Sequence, residues 1–345
     1  MHLNNGAAAD ASYSPVHMAD VLAIGGANPA KHAVLILGTA QLGLPYGAAN
    51  STGLPPEDMA IALIRAAVRA GVTSIETARA YGDSERRIGL ALGDPNLPEL
   101  AIVTKLDPMA EIPVDAPADQ AVRAARASLA ASREALRRDH LNVLLLHRAA
   151  HRTNWGGAVW DLLRGEREAS RIGWLGVSVQ SPSEAQAALE DPDVRHIQLP
   201  YNLLDRRWEE SGAASALRRR SEVVVHARSI LLQGLLAGSP QARWPVIPGV
   251  SGPDVLALLT QLARDLGRSS LTDLCIAFVR AQDWINGVTI GMETMEQLNT
   301  NLACFERAPL GPDQITAVRA ALPSASERLL DPAQWPNESA MRASS

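Results

Sequence analysis

From Ala33 onward the chain alternates between short apolar runs and longer amphipathic stretches. The apolar runs fall at 34–37, 72–75, 101–104, 141–146, 172–177, 196–199, 222–225 and 287–290. They are nearly continuous rather than alternating, the pattern of strands buried on both faces of a parallel sheet. Between them, apolar residues recur at helical spacing. Ile61, Ile64 and Val68 precede a stop at Gly71, and Val122, Leu129 and Leu136 share a face of a longer helix. Pro182, Ala185 and Leu189 follow a Ser181 cap, and Val255, Leu258, Leu259 and Leu262 end at Gly267. Leu271, Leu274, Cys275 and Phe278 form the last stripe. Eight strands with intervening helices predict a single-domain α/β fold, a (β/α)8 TIM barrel. A doubly wound open sheet is the alternative.

Residues 1–31 show no sustained period and read as a flexible leader. Residues 32–322 form the barrel, and a polar tail, 323–345, is expected to dock on its surface through Leu330 and Trp335.

Composition narrows the function. Of 345 residues, 47% are hydrophobic and 20% charged, enough for a large core. The net charge of -5 comes without a basic block, which argues against nucleic acid. Cys275 and Cys304 both sit in apolar helical runs, as buried small hydrophobes do. No stretch approaches a membrane span and no basic-then-apolar leader opens the chain, so a soluble cytoplasmic protein is expected.

Candidate chemistry lies at strand ends. Glu76 closes the second run and Tyr81 follows five residues later, in IETARAYGDSE at 75–85. Lys105 ends the third run and His147 the fourth. In a barrel of this kind, functional groups sit at the C-terminal ends of strands, so these four become neighbours. Free tyrosine, with a pKa of about 10, is a poor acid at neutral pH, and an adjacent ammonium would favour its ionised form. His147 and His151 are spaced as an i, i+4 metal pair, but no helix pattern spans them and no further ligand is near, so no metal is expected. After the last run, Gly291 precedes a helix start, a place suited to phosphate.

The order carboxylate, Tyr, Lys, His, together with GTAQLGLPYG at 38–47, resembles the aldo-keto reductase family. The resemblance runs from about residue 33 to residue 305. It implies an NAD(P)H-dependent oxidoreductase that reduces an aldehyde or ketone, or runs the reverse, on a small carbonyl or alcohol. Tyr81 would donate the proton and Lys105 would lower its pKa. Glu76 would pair with Lys105, and His147 would orient the carbonyl. Glu76 departs from the family's usual Asp, with Asp83 and Asp107 as weaker stand-ins. A short hairpin, with one strand at 21–24, is expected to close the bottom of the barrel.

The same resemblance assigns a cofactor, NADP(H) or NAD(H). Gly38 and Thr39 belong to the first strand-loop, and Ser178 and Gln198 match carboxamide contacts. Val179 replaces a common Asn, and Arg228 stands where many members stack a tyrosine. Ser229, Leu231, Gln233 and Gly234 would follow the pyrophosphate, and Gly291, Glu293, Gln297 and Asn301 the adenosine phosphate. Glu293 and Glu296 lie where a 2′-phosphate would sit, with no Arg or Lys in that stretch, which leaves NADH open beside the family habit of NADPH. Arg280 is a candidate to settle the choice. Gln41, Arg148, Trp155 and Trp244 are expected at the substrate mouth, Arg148 either facing a polar substrate or paired with a neighbouring carboxylate. QLPYNLLDRR at 198–207 resembles bacterial members linked to sugar metabolism. Two other classes compete, a cofactor-bound regulatory or redox-sensing subunit and a cofactor-independent lyase or isomerase. The oligomeric state is left open.

Overall fold

The computed structural model describes residues 32–50, 52–240 and 242–336. The leader and the strand expected at 21–24 lie outside the described residues. Eight strands close a parallel barrel in sequential order: β1 (Val34–Gly38), β2 (Ser74–Glu76), β3 (Ala101–Lys105), β4 (Leu141–Leu146), β5 (Ile172–Ser178), β6 (Val194–Pro200), β7 (Val224–Arg228) and β8 (Gly287–Gly291). β8 closes on β1, with Val34 opposite Gly287 and Gly38 opposite Gly291. The helices that return the chain are α1 (Glu57–Arg69), α2 (Ser84–Ala91), α3 (Ala118–Leu136), α4 (Ala158–Glu168), α5 (Pro182–Leu189), α6 (Ala213–Arg219), α7 (Gly252–Asp265) and α8 (Leu271–Arg280). Two more, α9 (Met295–Glu306) and α10 (Pro312–Ala321), follow β8.

Two strands begin later than their apolar runs. Val72 is buried, but its amide closes α1 by donating to the Ala67 carbonyl (3.1 Å), so β2 starts at Ser74. Val223 is held in a turn by the Arg220 carbonyl (2.8 Å), and β7 starts at Val224 and runs on to Arg228. The α7 stripe is narrower than its spacing predicts: Leu259 and Leu262 are buried while Leu258 is exposed. On α3, alanines and serines share the buried face with Leu129 and Leu136, and Val122 is only half-buried. Ser181 caps α5 by accepting from the Glu184 amide, with Pro182 at the first helical position.

The main core fills the layer between barrel and helices, and a small one of Ala101, Val103, Val143 and Leu145 fills the barrel interior. His196 and His226 meet edge-on inside the barrel, ring centroids 4.2 Å apart. Burial first, then His226 and Lys105, hold His196 well below its usual pKa, so it is neutral. The tail docks more deeply than expected: Leu329 and Leu330 are fully buried, and Trp335 donates to the Leu329 carbonyl (3.1 Å). Both cysteines are free and buried. Among the described residues no helix is long and apolar enough to cross a membrane, and no cluster of three metal-ligating side chains exists.

Candidate active site

After β2 the chain keeps to the rim of β3: the Thr77 amide donates to the Val103 carbonyl (2.8 Å) and that of Arg79 to the Lys105 carbonyl (3.1 Å). Tyr81 then turns back over the mouth, and this turn needs a glycine opposite it. A Cβ on Gly43 would lie 1.8 Å from the Tyr81 carbonyl oxygen. Three buried hydroxyls lock the arrangement. Ser84 donates to Thr39 (2.6 Å), Thr39 to the Glu76 carbonyl (2.8 Å), and Thr77 and Ser84 lie 2.8 Å apart. Thr39, expected at the cofactor, is thus fully buried in this brace and does not face the cavity. Below it, buried Glu85 accepts from Thr104 (2.7 Å) and Arg79 (2.6 Å).

Lys105 ends β3 with its ammonium almost wholly buried (1% exposed). All three of its protons are engaged. They reach the Glu76 carboxylate in direct contact, the Thr77 carbonyl at 3.2 Å and the Tyr81 hydroxyl at 3.0 Å. The other two proposed carboxylates are elsewhere: Asp83 pairs with Arg86 on the surface, and Asp107 accepts from the Met109 amide. His147, just past β4, stands edge-on to the Tyr81 ring at 6.1 Å.

Electrostatics modify the expectation. Burial raises the Tyr81 pKa above its usual 10, Glu76 pushes the same way, and Lys105 opposes them without prevailing. Burial works against the Lys105 ammonium, but Glu76 and Tyr81 outweigh it, and its pKa is raised. Burial, then the positive charges of Lys105, Arg228 and Arg148, depress His147 to about 3. At neutral pH the mouth therefore holds a neutral phenol, a charged lysine and a neutral imidazole.

These groups line one cavity of about 790 Å³. Gly38, Ser178, Arg228, Ser229, Leu231, Gln233 and Gly234 line it too, as do Gly291, Glu293, Gln297 and Asn301 around the end of β8. The loop after β7 is strained: Ser229, Leu232 and Gln233 all have positive φ, at 58°, 45° and 59°. Such conformations in non-glycine residues cluster at binding sites. Gln198 lies beside Ser178 across the β5–β6 register and is completely buried, with neither amide atom hydrogen-bonded. The Thr289 hydroxyl, nine-tenths buried at the cavity wall, is likewise unpartnered. Buried polar groups rarely stay unsatisfied, so the Thr289 hydroxyl marks this wall as a place for a polar ligand. Of the two expected carboxamide contacts, Ser178 lines the cavity, while Gln198 is sealed beneath it and does not reach the wall.

Other residues expected in the site have different duties. Gln41 lines the cavity, but its amide lies over Gly291, where a Cβ would meet it at 2.0 Å, so it belongs to the β8 end. Trp155 is buried against His151, donates to the Pro113 carbonyl (2.8 Å) and does not face the cavity. Trp244 packs on Gly252, also away from the cavity. Arg280 sits at the opposite end of the barrel, bonded to the Ala33 and Arg307 carbonyls, and cannot serve the cofactor. Arg148 is exposed at the cavity wall and makes no ion pair with any described residue. Tyr46, Asn50 and Gln180 line the cavity without having been singled out, although Tyr46 lies inside the GTAQLGLPYG run. Asp331 and Ala333 bring the tail to the mouth, which no local pattern announces.

The sequence model of the aldo/keto reductase family matches residues 34–323. With the closed barrel and the site at its C-terminal mouth, the chain belongs to the aldo/keto reductase family, a class of NAD(P)-dependent oxidoreductases. Among solved structures, the holo form of an aldo-keto reductase from Bacillus halodurans is 20% identical. That match covers 86% of this chain and 95% of the other, with a TM-score of 0.66. A glycerol dehydrogenase from Gluconobacter oxydans is 23% identical, over 83% and 90% of the two chains, also at 0.66. A putative aldo-keto reductase from Pseudomonas aeruginosa is 20% identical over 80% and 91%, at 0.57. No curated protein sequence matches the chain.

Proposed function

We propose that this protein interconverts a small polar aldehyde or ketone and its alcohol, with Tyr81 as the proton donor in reduction. The observation that carries the reading is the Tyr81 hydroxyl, 3.0 Å from Lys105 and facing a cavity shared with neutral His147. When bound, the nicotinamide supplies or accepts the hydride. Ser178, at the cavity end of β5, would hold its carboxamide. The substrate oxygen takes a hydrogen bond from Tyr81 and one from the neutral His147 ring, as general acid catalysis requires. Lys105 stabilises the tyrosinate left after proton transfer, and Glu76 keeps that lysine charged in a buried position. The polar rim of Asn50, Arg148 and Gln180 suits a hydroxylated or anionic substrate better than an apolar one.

The test is nicotinamide absorbance with a panel of polar and apolar aldehydes, for the parent and Tyr81→Phe. Turnover should favour polar substrates and fall by roughly 10²–10⁴-fold in the variant, the usual weight of a positioned proton donor. Full turnover by Tyr81→Phe overturns the assignment. Cofactor binding without turnover of any carbonyl favours the regulatory-subunit reading.

A further inference from the structure

We infer that this site selects NAD(H) and rejects NADP(H), through Glu293 and Glu296; the inference rests on the oxidoreductase reading above. If the nicotinamide lies at Tyr81 and Ser178, the rest of a dinucleotide must follow the cavity away from them. The cavity continues past the strained loop at 229–234 to the start of α9, where Glu293, Glu296, Thr300 and Asn301 line it. An anion at a helix start needs free backbone amides or a cation. Here the chain uses its own amides. Thr294 accepts from the Gln297 amide (3.2 Å), and the Gln297 side-chain oxygen accepts from the amides of Glu293 (2.6 Å) and Thr294 (3.4 Å). This capping box takes up the amides of Glu293, Thr294 and Gln297 and so reduces the donors left for a 2′-phosphate.

The side chains point to the same ligand. The cations on the cavity wall are Lys105, Arg148 and Arg228. Lys105 is saturated at the catalytic end, Arg148 follows His147, and Arg228 bonds to the Val179 carbonyl (3.2 Å) and Gln180 (2.8 Å) at the end of β5. None belongs to the β8 end, where the charged side chains are two carboxylates. A carboxylate accepts both hydroxyls of a ribose diol but repels a phosphate in their place. The unpartnered Thr289 hydroxyl, nine-tenths buried at the wall, marks the cavity as a polar-ligand site independently of these glutamates.

The experiment is fluorescence titration of the full chain with NADH and with NADPH. NADH should bind at least about tenfold more tightly, an ordinary range for specificity set by one charged group. The double variant Glu293→Gln, Glu296→Gln should narrow that ratio about tenfold or more, chiefly by strengthening NADPH. A parent that binds NADPH as tightly as NADH overturns the inference and leaves the oxidoreductase reading standing. So does a folded double variant with an unchanged ratio. A parent that binds neither dinucleotide overturns the oxidoreductase reading itself.

Discussion

The Lys105 ammonium lies 3.0 Å from the Tyr81 hydroxyl, yet Tyr81 is harder to ionise than a free tyrosine. The two facts are compatible because Lys105 does not act alone. Its charge is largely answered by Glu76, in direct contact, while burial of the phenol penalises the phenolate. If Tyr81 is the proton donor, the pair keeps its proton in place until the reaction generates negative charge on the substrate oxygen. At that moment Lys105 is already in place, with no solvent to reorganise.

A pH dependence follows from this arrangement. A raised Tyr81 pKa keeps the acid form present across the neutral range and past pH 9. Carbonyl reduction should therefore hold its rate to at least about pH 9, whereas alcohol oxidation, which needs the phenolate as base, should climb throughout. Steady-state profiles of both directions check it. A reduction rate that falls with a midpoint near neutrality would show that Tyr81 ionises early.

His147 should contribute no limb of its own near neutral pH. Burial and three neighbouring cations hold it near 3, so it stays neutral from pH 5 to 9. The check is histidine NMR across that range, with His147→Gln to assign the resonance. A His147 signal titrating near the free value of about 6.5 would remove its role as a neutral hydrogen-bond donor.

How much of this could be read from the sequence depends on what each feature obeys. Glu76, Tyr81, Lys105 and His147 were legible because strand ends on successive strands become neighbours in a barrel, whatever the details of packing. Trp155 and Trp244 were misplaced because stacking on a ligand and packing on a core leave the same local pattern. The sign of the Tyr81 shift depends on burial, which spacing does not encode. Gln297 lines the cavity and also closes the capping box that Thr294, three residues earlier, announces. The tail that brings Asp331 to the mouth follows from long-range docking of Leu329 and Leu330, for which no periodic signal exists.

Away from the site, Glu166 on α4 should govern part of the acid stability. Arg171 grips it through two bonds of 2.8 Å and Arg133 through one of 2.7 Å. The Arg171 bonds, against the penalty of burial and with help from Arg133, lower its pKa from 4.5 to about 2. A depressed carboxylate stabilises the fold above its unfolded pKa and loses that contribution as pH falls through the folded value. Glu166→Gln should cost on the order of 2 kcal/mol at pH 7, part of the full linkage because solvent reaches the arginines. The deficit should shrink below pH 4.5 and vanish near pH 2. Urea unfolding of both proteins at several pH values measures it, and a pH-independent difference would assign the effect to packing.

The last prediction concerns Glu76, whose reach matters because of the barrel register. Glu76 sits opposite Val103, two residues below Lys105 on the same inward face of β3. Two residues of strand separate the Cα levels by about 6–7 Å, and the two side chains close that gap by reaching towards each other. Glu76→Gln keeps the length and removes the charge. Lys105 would then face burial without its main compensation, and its own pKa should fall. Removing one partner of a buried pair typically costs about 3–5 kcal/mol. The variant should lose stability on that scale, and kcat/KM should drop about a hundredfold, with a new decline on the alkaline side as Lys105 loses its proton. Glu76→Asp keeps the charge and shortens the arm. Its pair with Lys105 can be bridged by water, so it should stay within about tenfold of the parent. The measurements are kcat/KM against pH for both variants on one substrate, with unfolding curves and dinucleotide affinity alongside. A Gln variant as fast as the parent makes Glu76 a bystander and leaves the work to Tyr81, Lys105 and His147. An Asp variant as poor as the Gln one means the longer arm is itself required, because the register holds the carboxylate one layer below the charge it must meet.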